Sequence, residues 1–276
     1  MIKYLKASLQ RKIARRITKE YPPRIDSYEL KNIGTVQFAN WTNPLMSPLK
    51  LDSNMIAFFS QFIKEGDLAI DIGANIGDTT VPMALCAGKN GLILGFDPNP
   101  YVFKILEVNA GLNKDKTNIH PLPFAISVTD ETFYFISSEA SFGNGGISTK
   151  KDIKHGKFIY PDKVQGLNLK KFLKEKYEQW LTKLSFIKID TEGYDKEIIK
   201  SIADLISEYK PVIIAESFGK LTNGEKIELY QIIENLDYNI YYFEDFTIEG
   251  KVQKLTHENE ITNYKETINI YATPKK

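Results

Sequence analysis

Asp71, Gly73, Asn75, Gly77 and Asp78 fall within one short run that follows the apolar stretch beginning at Leu68. Residues of these types at this spacing can cradle a nucleotide. Gly73 and Gly77 let backbone approach a ligand where a Cβ would collide. The dinucleotide fingerprint Gly-x-Gly-x-x-Gly seats a pyrophosphate on a helix N-terminus. Here the spacing is Asp-x-Gly-x-x-x-Gly, with Asn75 in place of the middle glycine. Asp78 adds negative charge at the mouth of the following helix, where it repels phosphate.

S-adenosylmethionine has no phosphate and carries an ammonium and a sulfonium, so an acidic mouth suits it. Asp97 lies 20 residues beyond Gly77, where a carboxylate can accept both hydroxyls of a ribose. An Asp before proline also occurs in ordinary turns, but the end of the apolar run Gly91–Phe96 favours the ribose role. Ala125 and Ile126, closing a third apolar segment (Asn118–Ser127), would border the adenine. Asp190 and Glu192 follow Phe186-Ile-Lys-Ile189 in a second strand-to-turn signature, and Pro211–Ala215 delivers Glu216 to the same kind of position. The plainest role for Asp190 or Glu192 is to cap the next helix.

The elements that must position these residues alternate strand and helix. Leu68–Ile72 reads as a strand buried on both faces, and Val81–Ala87 as the helix behind it. The pattern predicts an α/β, Rossmann-like, doubly wound sheet of seven strands, mostly parallel with the last antiparallel. Helices are expected over Asn54–Lys64, Tyr101–Leu112, Leu167–Leu181, after Gly193, and from the capping box Thr222–Glu225 to Leu236. Thr132–Ile136 alternates and is expected to form a hairpin with its predecessor. Tyr238–Phe243 and Thr267–Ala272 are the last strands. Ser137–Gly166 shows no clear period and lies where a substrate lid would sit.

The chain divides into an extension over 1–50 and a domain over 51–276. Residues 1–20 carry seven Lys/Arg against one Glu, and Ile2, Leu5, Leu9, Ile13 and Ile17 recur at helical spacing. This basic amphipathic helix is expected to pack its apolar stripe on the domain or on a second subunit. The sharper alternative is a surface helix that meets anionic lipid or an acidic partner. Tyr21-Pro22-Pro23 ends it, and the segment to Lys50 reads as irregular.

At 42% hydrophobic and 26% charged, the composition is that of a soluble globular protein. A formal net charge of +1 argues against a nucleic-acid partner. A single cysteine, Cys86, excludes an internal disulfide. With no apolar run of transmembrane length, the expected compartment is the cytoplasm, with a peripheral place at the inner face of the membrane if the basic helix meets lipid.

Asp71-x-Gly73-x-Asn75-x-Gly77, Asp97-Pro98-Asn99, Ala125-Ile126-Ser127, Lys188-Ile-Asp190-Thr-Glu192-Gly193 and Ala215-Glu216 occur in order at strand ends. In these the chain resembles the FkbM family of class I S-adenosylmethionine-dependent methyltransferases, from about Met55 to Ala272. Members with known roles mostly methylate hydroxyls of sugars and polyketide-type natural products. The resemblance implies cofactor contacts at Gly73, Asn75, Gly77, Asp97, Asn99 and Ile126, with Asp71 and Ala125 in the same motifs. It also places Asp190, Glu192 and Glu216 around the transferred methyl group. Asp97 stands where the family usually has Glu, and Asp195 closes a motif that usually ends in Glu.

A free alcohol holds its proton at a pKa near 15.7, so a base or a metal must assist its attack. Asp190, Glu192 and Glu216 could orient the hydroxyl and take its proton, or together hold Mg²⁺ or Mn²⁺. His155 and Lys188 are further candidates for contact with a small-molecule or glycan substrate. Lys150, Lys151, Lys154, Lys157, Phe142, Phe158 and Tyr160 would suit a sugar or an anionic glycan. The competing classes are a nicotinamide-dependent reductase and a non-catalytic cofactor-binding adaptor. The reductase pattern Tyr-x-x-x-Lys occurs only at Tyr271–Lys275, broken by Pro274.

Overall fold

The computed structural model describes residues 2–151 and 156–275. The chain opens with α1 (Ile2–Ala14), then a hairpin of β1 (Pro23–Leu30) and β2 (Gly34–Trp41), then α2 (Ser53–Ser60), capped by the Asp52 carboxylate. The Rossmann-like part follows as β3 (Leu68–Ile72), α3 (Thr80–Ala87), β4 (Leu92–Phe96), α4 (Pro100–Gly111) and β5 (Ile119–Leu122). A small sheet comes next, with β6 (Phe124–Ser127), β7 (Thr132–Ser137), β8 (Gly146–Ser148) and β9 (Phe158–Asn168). The second half runs α5 (Leu169–Lys176), β10 (Leu184–Ile189), α6 (Asp195–Ser201), α7 (Ala203–Tyr209), β11 (Val212–Ser217) and α8 (Asn223–Asn235). It closes with β12 (Tyr238–Phe243), β13 (Val252–Leu255) and β14 (Ile268–Pro274).

Among the described residues the main sheet has the order β13-β12-β14-β11-β10-β3-β4-β5. β5, β4, β3, β10 and β11 are mutually parallel, and β14 runs antiparallel between β11 and β12. The sheet is therefore the expected mixed one with an eighth strand, because β13 folds back on β12 as an antiparallel edge. Every residue of β3 and β4 is buried. This follows from helical cover on both faces, and it explains why Asp71 is the only polar side chain in either strand.

Three expectations need correction. Residues 21–50 are not irregular: β1 and β2 pair in register from Pro23↔Trp41 to Leu30↔Gly34. Val36, Phe38, Ala39 and Trp41 are buried in one core with Phe58, Phe59 and Met83, so the hairpin belongs to the domain and is no extension of it. The third apolar segment splits at Pro123, which has no N–H for the ladder, into β5 in the main sheet and β6 in the small one. β7 pairs with β8 and β9 rather than with its predecessor, so the supposedly loose 137–166 region contributes two strands.

Candidate functional site

The site lies at the carboxyl ends of β3, β4 and β10, the crevice where open α/β sheets bind ligands. Gly73 (φ 76°) turns the chain out of β3, and a Cβ there would meet the Asp190 carbonyl oxygen at 2.0 Å. Only glycine allows the ends of β3 and β10 to approach so closely. Gly77 (φ 94°) packs against Leu106 and Asn109 of α4 and does not line the cavity. Asn75 itself adopts φ 49°, and its Oδ1 is buried with no hydrogen-bond partner.

Asp97 is buried at the end of β4. Its Oδ2 accepts from the Asn75 backbone N–H at 2.7 Å and its Oδ1 from the Asn99 N–H at 2.8 Å. Burial raises its pKa to about 7 despite those two amides. Asn99 caps α4 through the Tyr101 N–H and donates from Nδ2 to the Phe142 carbonyl at 2.8 Å. Its side chain thus fastens the following glycine-rich segment over the site.

Beneath the turn, Asp71 Oδ2 accepts from the Thr79 and Thr80 hydroxyls at 2.8 and 2.6 Å. Lys188 Nζ stands 3.2 Å from Asp71 Oδ1 and 3.3 Å from Asp190 Oδ2. Burial alone would lower the Lys188 pKa, but Asp71, Asp190 and Asp78 outweigh it and hold the ammonium charged. Asp71 is fully buried and outside the cavity lining, so it supports the turn. Lys188, expected to meet substrate, is buried as a strut between two carboxylates, with its tip in the cavity floor.

The cavity measures about 350 Å³ and brings together Gly73, Asn75, Asp97, Asn99, Ala125, Ile126, Lys188, Asp190 and Glu192. Asp190 is 44% exposed by side chain, so its carboxylate is open to a ligand. Glu192 sits in the left-handed region (φ 53°) directly before Gly193. Such backbone strain is common at functional sites. Glu216 does not line the cavity. Its Oε2 is buried without a partner, and burial, reinforced by Asp190, Asp195 and Glu192, raises its pKa to about 8. Glu192 is raised by burial and by Asp190. Asp190 thus opposes the ionisation of both glutamates, yet among the described residues no three acidic, His or Cys side chains converge to hold a metal ion. The Asp190–Glu192–Glu216 cation site is not formed.

Asp195 serves to build the site. Buried at the start of α6, it accepts from the Thr191 hydroxyl at 2.7 Å and the Glu216 N–H at 2.9 Å, tying the ends of β10 and β11 together. His155 lies outside the described residues. Sequence reasoning missed Phe135, Tyr194, Phe246 and the segment Gly143–Ile147, which also line the cavity. The run Gly143-Asn-Gly-Gly146 was the available signal for the last of these.

The family model for the methyltransferase FkbM domain matches residues 71–240, more than half of the chain. The chain belongs to this family. It is an S-adenosylmethionine-dependent methyltransferase, and the reductase and adaptor alternatives fall away; Tyr271 stacks on Tyr241 in the sheet, apart from the cavity. No curated protein sequence matches the chain. Among solved structures, a methyltransferase FkbM from Methylobacillus flagellatus KT is 14% identical over 78% of this chain and 47% of its own, with a TM-score of 0.44. TYW2 from M. jannaschii, in complex with AdoMet, is 14% identical over 94% and 90%, with a TM-score of 0.41. Precorrin-6y C5,15-methyltransferase from Geobacter metallireducens GS-15 is 11% identical over 80% and 86%, with a TM-score of 0.42.

The residues present fit the cofactor. Asp78, Asp97, Asp190 and Glu192 give the cavity an acidic lining for a cation, and Phe124, Ala125 and Ile126 give it an apolar wall. The orphaned Asn75 Oδ1 is a free acceptor at the turn.

Proposed function

We propose that the enzyme methylates a hydroxyl of a sugar, glycan or natural product, with Asp190 as the base. The observation that carries this reading is that Asp190 and Asp97 open into one cavity from the ends of β10 and β4, the two strands that flank β3. When bound, S-adenosylmethionine supplies a methyl group on a sulfonium, to be displaced in line by the acceptor oxygen.

Asp97 would accept the ribose hydroxyls through the lone pairs left free by its two backbone donors. Ile126 and Ala125 would flank the adenine, and Asn75 and Gly73 would border the cofactor at the turn. Lys188 grips Asp190 at Oδ2 only, which leaves Oδ1 free to accept the proton of the attacking hydroxyl. Glu192 would orient the acceptor from the same wall. Glu216, held protonated near neutral pH, would donate a hydrogen bond rather than take a proton. Alignment of the acceptor oxygen carries much of the rate in such a displacement, and the Asn99–Phe142 bond, by holding Gly143–Ile147 in place, contributes to that alignment.

The test is transfer of tritiated methyl from S-adenosylmethionine to fractionated glycans and lipids of the source cell. The reading expects label in an O-methyl ether, and loss of labelling with S-adenosylhomocysteine in excess. Label found only on nitrogen or carbon would contradict it.

A further inference from the structure

We infer that α1 docks the enzyme on an anionic lipid surface. The expected packing of its apolar stripe on the domain does not occur. The inward face carries Ala14, fully buried, with Ala7, Ser8 and Arg11 half-buried. Leu5 and Leu9 are 59% and 58% exposed, and Ile13 is 38% exposed. These three recur every fourth residue, so they form one outward stripe. At 3.6 residues per turn, Lys12 borders the stripe on one side and Lys6 on the other, and both are exposed.

Apolar side chains grouped in this way on a surface mark an interaction site, and the charge identifies the occupant. Residues 1–20 hold seven Lys/Arg and a single acid, Glu20, which is already paired with Lys104. A second copy of the same helix would bring cations against cations. Anionic headgroups over acyl chains answer both features, opposite charge for the lysines and an apolar phase for the leucines. Among the described residues no helix is long and apolar enough to cross a membrane, so α1 would lie in the interface.

Ala14, the last residue of α1, is buried, and the chain just after it is bonded to the body. The Ala140 N–H donates to the Arg15 carbonyl at 3.3 Å, and Lys104 holds Glu20. Ala140 is three residues from Gly143, where the cavity-lining segment begins. Docking through α1 would therefore set the orientation of the cavity wall relative to the bilayer.

The test is sedimentation of the full chain with vesicles of phosphatidylcholine alone and of phosphatidylcholine mixed with phosphatidylglycerol. The wild type should sediment with the mixed vesicles and not with the neutral ones, and added salt should release it. The variant Leu5→Ser/Leu9→Ser/Ile13→Ser should bind about tenfold more weakly or worse, and Lys6→Gln/Lys12→Gln should weaken binding in the same direction. Both variants should keep the wild-type melting temperature and affinity for S-adenosylhomocysteine, since these side chains face outward. Failure to sediment with either vesicle, or undiminished binding by the serine variant, would overturn the proposal. So would a dimer, detected by light scattering, that the serine variant converts to monomer, because the stripe would then belong to a second copy.

Discussion

The Asn75 N–H donates to Asp97 Oδ2 at 2.7 Å, so the carboxylate ending β4 is fastened to the glycine turn ending β3. One oxygen of Asp97 thereby sets the turn while the group as a whole stays available to a ribose. Replacing Asp97 with Ala should cost about 1.5–3 kcal/mol of S-adenosylhomocysteine affinity, as expected for a lost charge-assisted pair. Isothermal titration measures it directly, and equal affinity in the variant would refute the ribose assignment.

The same carboxyl makes cofactor binding depend on pH. Its pKa stands at about 7 in the free enzyme, raised by burial. Hydroxyls donating to it favour the charged form, so binding should release a proton. S-adenosylhomocysteine affinity should then rise about tenfold between about pH 6 and about pH 8. Asp97→Ala should flatten that dependence, and a flat wild-type profile would contradict it.

Stability should move the other way. Burial raises Asp195 to about 6, Asp97 to about 7 and Glu216 to about 8, from an ordinary range near about 4. Folded protein therefore binds more protons than unfolded protein across this window, and stability falls as pH rises through it. Without cofactor, the thermal midpoint should be higher near about pH 5 than near about pH 8. Added S-adenosylhomocysteine should narrow the difference.

The parallel strands were legible because burial on both faces leaves them nothing to alternate. Leu68–Ile72 is apolar but for Asp71, Leu92–Phe96 carries no polar side chain, and both form strands at those positions. Asp97 was legible for the same reason, being the first charge after such a run, and Asp190 because it follows Phe186–Ile189, which only Lys188 interrupts. The N-terminal hairpin was not, because Pro22 and Pro23 read as a helix stop. Its turn signals, Asn32 (φ 67°) and Gly34 (φ 86°), stand between segments with polar outer faces. The small sheet was hidden likewise: β9 is half-exposed over Phe158–Lys163, so its residues resemble a solvated loop. The roles of Lys188 and Asp195 needed three dimensions, since their partners Asp71 and Glu216 come from other strands.

Lys188 is the strut whose loss should be felt most in stability. Lys188→Met would leave the fully buried Asp71 without its ammonium, at a cost of about 3–5 kcal/mol. A denaturant midpoint within error of the wild type would contradict the ion-pair geometry.

Asn109 links the hairpin to the site. Its Oδ1 accepts from the Ala39 N–H at 2.7 Å, and its Nδ2 donates to the carbonyls of Ala39 at 3.0 Å and Ile76 at 2.7 Å. Asn109→Ala should destabilise the fold by about 1–3 kcal/mol or more, since buried backbone groups lose their partners. Cofactor affinity should fall with it, because Ile76 lies within the turn. Unchanged stability would show that water replaces the amide.

The most direct measurement is the single-turnover rate of methyl transfer by Asp190→Asn, on the acceptor found by the labelling assay. The amide keeps the size of the carboxylate and most of its hydrogen bonds but takes no proton. The rate should fall by about 10²–10⁴-fold while S-adenosylhomocysteine affinity stays near the wild-type value. Transfer at close to the wild-type rate would contradict the account, and the base would then have to be another residue.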